Sequence, residues 1–190
     1  EERTIIVGDL HIGKSAHFRK NGIQLPSNVN KNNFWNLSIV IEEYKPKSIL
    51  FLGDLFHSDI NEEWNDFVDF MNNYPTVGLT LIRGNHDVID NHYFDEISME
   101  VIDSKEIGPF IFTHEPIEDW KGKLYNLSGH VHPAVSLKGK ANQGMTLACF
   151  YFSKYYGLLP SFGDFTGRHR IKPKKSDTVF VTTGYEVVQF

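Results

Sequence analysis

The 190-residue chain has one cysteine, Cys149, so no internal disulfide can staple it. Cys149 lies in the apolar run Leu147 to Phe152 and reads as a small core residue in a reducing, cytoplasmic setting. Long apolar runs are missing too. No stretch of eighteen apolar residues runs without a charge, and no basic segment followed by an apolar one opens the chain. Neither a membrane-spanning helix nor a secretory leader is expected. Repeats and low-complexity linkers are also lacking, and the length suits one well-buried core, so a single domain over residues 1–190 is expected.

Acid is scarce in one region only. Residues 120 to 175 contain a single acid, Asp164, against 10 Lys+Arg, whereas residues 1 to 119 carry 21 Asp+Glu against 9 Lys+Arg. The overall net charge of -5 hides this split. A basic second half suggests an anionic partner. Histidine, by contrast, is plentiful: nine are present, and most stand within two residues of an Asp, Asn or Gly.

Hydrophobic patterning orders the chain. Short β-branched runs at Arg3 to Val7, Ser48 to Leu52 and Val77 to Ile82 each end in turn residues, as buried strands do. Between them, Phe34, Leu37, Ile41 and Tyr44 recur at helical spacing within Asn30 to Tyr44, and Trp64, Phe67, Val68 and Met71 do so within Asn61 to Asn73. Alternating strands and helices imply parallel pairing. After residue 98 the expected elements are short strands at Glu100 to Asp103, Phe110 to Thr113, Leu124 to Ser128, Met145 to Phe152, Tyr156 to Pro160, Thr178 to Thr183 and Tyr185 to Gln189, forming a more antiparallel sheet. The expected fold is α/β: two packed β-sheets flanked by helices.

Ligands of open α/β sheets gather beyond the carboxyl ends of the strands. Five such ends carry polar motifs: Asp9-Leu10-His11, Gly53-Asp54, Gly84-Asn85-His86-Asp87, Thr113-His114-Glu115 and Gly129-His130-Val131-His132. In the two extended pairs, Asp9/His11 and His130/His132, the two side chains point the same way, so each pair can grip one ion. The glycines before Asp54, Asn85 and His130 would allow tight turns. Asp9, His11, Asp54, Asn85, His114, His130 and His132 are too many ligands for one ion. They suit two divalent cations sharing a carboxylate, and their mixture of nitrogen and oxygen favours Mn, Fe or Zn over calcium. Such a pair, about 3.5–4 Å apart, activates water for attack on phosphorus. A single histidine near a turn is ordinarily structural, the reading for His17, His92 and His169.

The ordered set Asp-x-His, Gly-Asp, Gly-Asn-His-Asp, His and Gly-His-x-His resembles the calcineurin-like metallophosphoesterases over residues 5 to 132. The stretches Gly13 to Arg19, Thr113 to Pro116, His132 to Val135 and Leu158 to Gly163 further resemble the bacterial DNA-ligase-associated phosphoesterases. The resemblance implies a four-layer α/β/β/α fold. It implies that Asp9, His11, Asp54 and His132 hold one metal and Asp54, Asn85, His114 and His130 the other, with Asp54 as bridge. Manganese is the leading candidate, with Fe, Zn or Mg as alternatives. His86 falls where the family places a non-ligand catalytic histidine. The phosphatase branch has an Asp three residues after the Gly-Asp aspartate, and this chain has His57 there, so the family's carboxylate-His dyad is left open, with Asp87 only a weak substitute.

Lys14 and Arg19 are candidates for phosphate contact, with His57 beside them. The resemblance also implies association with a DNA ligase, a helicase and a nuclease in DNA repair. The run Arg168 to Lys175 could track a nucleic-acid backbone, or be no more than a solvated edge. The expected activity is a nuclease or phosphodiesterase. A phosphodiesterase or phosphatase acting on small cyclic or dinucleotides is the alternative, and a non-catalytic interaction scaffold ranks last because no metal ligand is missing. Oligomeric state is not legible.

Overall fold

A computed structural model describes residues 3–15, 29–57, 59–138, 144–164 and 166–190. Four strands, β1 (Thr4–Val7), β2 (Ser48–Phe51), β3 (Gly78–Ile82) and β4 (Met99–Ile102), form a fully parallel sheet in the order β1-β2-β3-β4. Helices α1 (Val29–Tyr44), α2 (Glu62–Met71) and the short α3 (Asn91–Glu96) connect them. Alternation along β2 sends Ile49 and Phe51 one way, into a core with Leu37 and Ile41 of α1, Trp64 and Phe67 of α2 and Phe94 of α3. Leu50 and Leu52 go the other way and meet Ile82 and Phe112, which packs this sheet onto a second one.

The second sheet is mixed, in the order β11-β8-β9-β10-β7-β6-β5, with β12 against β9 and β13 against β12. Its strands are β5 (Ser104–Ile107), β6 (Phe110–Thr113), β7 (Tyr125–Ser128), β8 (Pro133–Lys138), β9 (Gly144–Phe152), β10 (Tyr156–Leu158), β11 (His169–Arg170), β12 (Thr178–Thr182) and β13 (Val187–Gln189). Pairs β6/β7, β7/β10 and β8/β11 are parallel, and the others antiparallel. The fold is thus two packed sheets flanked by helices, and the three described helices all join the core on the outer side of the first sheet. None of the described helices is long and apolar enough to cross a membrane. Cys149 is fully buried.

Helix α2 starts where the sequence supplies a cap: the Asn61 side chain accepts from the Glu63 amide at 2.9 Å, and Glu62 and Glu63 sit at the positive end of the helix dipole. Helix α1 stops at Lys45, which adopts a left-handed conformation and donates its amide to the Ile41 carbonyl at 2.8 Å.

Candidate metal centre

Beyond the ends of β1 and β2 the two loops run side by side. The His11 amide donates to the Asp54 carbonyl, the Ile12 amide to the Leu55 carbonyl and the His57 amide to the Ile12 carbonyl, at 2.9, 2.9 and 2.7 Å. Leu10, Ile12, Leu55 and Phe56 are buried in the core, so apolar residues anchor the loops while the polar residues between them, Asp9, His11 and Asp54, form the site.

The backbone there is not extended. Asp9, His11, Asp54, His130 and His132 all have φ between 44° and 62°. The expectation that Asp9/His11 and His130/His132 are extended pairs, each holding one ion, is therefore corrected. Strand pairing ends before these residues, and left-handed turns redirect each side chain. Asp9 and His11 still share a cluster, but its third member is His132, whereas His130 joins Asp54 and His114. In each trio the ligand atoms all lie within 4.8 Å of one another.

In the first trio, His132 Nε2 lies 3.4 Å from Asp9 Oδ1 and 3.4 Å from His11 Nε2. In the second, His114 Nε2 lies 3.6 Å from Asp54 Oδ1 and 3.0 Å from His130 Nδ1. Asn85 Oδ1 sits 3.0 Å from the same nitrogen. Asp54 faces both trios, since its Oδ2 is 3.8 Å from His11 Nε2.

Backbone carbonyls fix the imidazoles. His114 Nδ1 is 2.8 Å from the Leu52 carbonyl and His132 Nδ1 is 3.1 Å from the Gly167 carbonyl, contacts that require N–H donors. These contacts leave Nε2 as the atom each imidazole points into the site, the arrangement typical of metal-holding histidines. Burial, with Lys14 and then the neighbouring histidines adding to it, pushes the His11 pKa down to about 2, so this ring is neutral. Asp9 and Asp54 are 0% and 2% exposed. Buried carboxylates and converging lone pairs repel one another unless cations lie between them. The donor set thus fits two divalent ions.

Neighbouring groups hold the frame. Both Asp9 oxygens accept from the His130 amide, at 3.0 and 2.9 Å. Asp54 Oδ1 accepts from the His86 amide at 3.0 Å. A Cβ on Gly84 would come within 2.4 Å of the Asp54 amide nitrogen and Oδ1, so only glycine permits this approach. Asp87 is buried, and its two oxygens accept from the Phe56 and Gly84 amides at 3.0 and 2.8 Å. It clamps two site loops together, and burial raises its pKa to about 6. Sequence reasoning missed this clamp and the Leu52 and Gly167 carbonyls, because backbone acceptors leave no trace in residue type.

The His86 ring packs against His57 at a tilt of 40° with centroids 4.1 Å apart, and His57 Nδ1 lies 3.3 Å from His11 Nδ1. Lys14 is close enough for Asp54 to raise its pKa, although burial lowers it overall. Arg19 and His17 lie outside the described residues. His92 is exposed and bonds Asp90, which caps α3, and the exposed His169 donates its amide to the His132 carbonyl at 2.9 Å.

The family model for calcineurin-like phosphoesterases matches residues 2–183. The chain belongs to the calcineurin-like phosphoesterase family. This phosphoesterase is a metal-dependent hydrolase of a dinuclear family, and the structure supplies two candidate metal-binding groups. It is similar to the nuclease MPE of Pseudomonas putida, with 27% sequence identity and a TM-score of 0.83, covering 100% of this chain and 88% of that one. The phosphoesterase Yfce of E. coli shares the fold at 12% identity and a TM-score of 0.50, covering 94% of this chain and 86% of that one. No curated protein matches the sequence.

Proposed function

We propose that this phosphoesterase is a dinuclear, manganese-dependent phosphodiesterase that cleaves nucleic-acid strands in the cytoplasm during DNA repair. The observation that carries the dinuclear reading is Asp54, whose two oxygens face different donor trios. In this reading Asp9, His11, His132 and Asp54 hold one ion, and Asp54, Asn85, His114 and His130 the other. The likeness to a nuclease over the whole chain supports a nucleic-acid substrate. The repair role and the association with a ligase, a helicase and a nuclease rest on the resemblance to ligase-associated phosphoesterases.

Held by these residues, two cations would supply a water of lowered pKa and positive charge for the phosphoryl group. The chain's own groups do the rest. His86 stands beside Asp54 and donates a proton or hydrogen bond to the substrate, through electrostatic stabilisation or general acid catalysis. His57, in the place where the phosphatase branch has an aspartate, packs a tilted ring against His86 and orients it. Lys14 contributes positive charge next to Asp54, and Arg19 is assigned to phosphate contact from its place in the sequence.

The test is hydrolysis by manganese-loaded protein of a small aryl phosphodiester, single-stranded and duplex DNA, RNA and cyclic nucleotides. Turnover of the aryl diester and of nucleic acid is expected, and His86→Ala should lower the rate by about 10²–10⁴-fold. No turnover with any divalent metal would overturn the enzymatic reading. Turnover of cyclic nucleotides alone would replace the nucleic-acid reading with the small-nucleotide one.

A further inference from the structure

Apart from His130 and His132, the basic half of the chain plays no part in the chemistry above, yet a row of its cations reaches the site at His132. Gly167 offers its carbonyl to His132 Nδ1 at 3.1 Å, and the His169 amide donates to the His132 carbonyl at 2.9 Å. From there β11 leaves as the outermost strand of its sheet, parallel to β8. The segment 168–175 carries Arg168, Arg170, Lys172, Lys174 and Lys175 with no acid among them, and all five are exposed.

We propose that this edge is the surface on which one nucleic-acid strand is held as it runs into the metal centre, an inference that rests on the phosphodiesterase reading. Ile171 anchors the segment: its amide donates to the Ala134 carbonyl at 2.9 Å and its side chain packs against the cluster of Val135 and Cys149. Its neighbours Arg170 and Lys172 therefore project to the opposite side. Alternate residues of an extended segment lie about 6.6 Å apart, a step suited to successive phosphates.

Arg168 is held across the sheet by a bond to the Thr146 carbonyl at 2.8 Å, which fixes where the row begins. The nearby acid Asp177 is occupied, its Oδ2 accepting from the Lys174 amide at 2.8 Å and the Tyr151 hydroxyl at 2.9 Å. Charge that served only to prevent edge-to-edge pairing would need one or two lysines anywhere along the strand. Here the row is continuous and starts beside a candidate metal ligand. A small diester would reach no further than its beginning, so the row matches a polyanion.

The test measures binding of a fluorescent, uncleavable phosphorothioate DNA strand by anisotropy at several salt concentrations. Turnover of the small aryl diester is followed in parallel. In the triple variant Arg170→Ala, Lys172→Ala and Lys174→Ala, binding should weaken by about tenfold or more and the log–log salt slope should shrink by about 2, with diester turnover retained. If the triple variant does not fold, Lys172→Ala alone should reduce the slope by about 0.7. Unchanged affinity and slope, in a protein that still cleaves DNA, would overturn this surface and leave the nuclease reading standing. Failure of the unmodified protein to bind or cleave DNA would overturn both.

Discussion

Asp9, His11, Asp54, His130 and His132 each hold a backbone conformation that costs a non-glycine residue of order 1–3 kcal/mol, and together they surround one small volume. Such strain persists because the residues between them are locked: Leu10, Ile12, Leu55 and Phe56 are each no more than 1% exposed. Residue type at these positions is legible in the sequence, since carboxylate, imidazole and amide groups at five strand ends are a specific pattern. The sign of φ is not, which is why an extended reading pairs His130 with His132 and the structure separates them. Cys149 illustrates the legible case. An apolar neighbourhood predicts a buried thiol, and burial pushes its pKa up to about 11 from 9.0. Because the raised value belongs to the folded state, stability from this group is fully present below pH 9 and is lost as pH rises toward 11. Alkylation at pH 8 should be negligible until denaturant unfolds the protein. Rapid labelling of the native chain would contradict the buried assignment.

Elements with a strong period were readable. The apolar spacing of Phe34, Leu37 and Ile41 marks α1, and that of Trp64, Phe67 and Met71 marks α2. Three strands and one helix gave no such signal. Strand β11 has only two residues, β5 is polar on its exposed positions, and β8 begins at Pro133 inside a motif that draws attention to its histidines instead. Helix α3, with six residues, is too short for a periodic face. The segment after β10 matters more than its lack of regular structure suggests. It lies on the Asp9 loop, with the Phe162 amide donating to the Gly8 carbonyl at 2.7 Å and the Gly163 amide to the Asp9 carbonyl at 3.2 Å. A Cβ at Gly163 would sit 2.1 Å from the Leu10 carbonyl oxygen. Gly163→Ala should therefore push the Asp9 loop away, at a cost of about 1–3 kcal/mol, and weaken metal uptake. Thermal melting and metal titration of the variant measure both effects, and a wild-type melting temperature with wild-type affinity would refute the packing argument.

At the scale of the molecule, the charge split and the two-sheet architecture describe one arrangement. The acid-rich residues 1 to 119 supply Asp9, His11, Asp54, Asn85 and His114, and the basic residues that follow supply His130 and His132, so the centre forms where the two halves meet. Two divalent cations there would offset the buried carboxylates, beside a basic edge that begins at His132. Asp54 faces both donor trios, its Oδ2 toward His11 and its Oδ1 toward His114. The most direct test of this account is metal analysis combined with electron paramagnetic resonance of the manganese-loaded protein. It predicts two manganese ions per chain with a spin-coupled spectrum that Asp54→Asn abolishes. One ion per chain, or two uncoupled ions indifferent to Asp54→Asn, would contradict it.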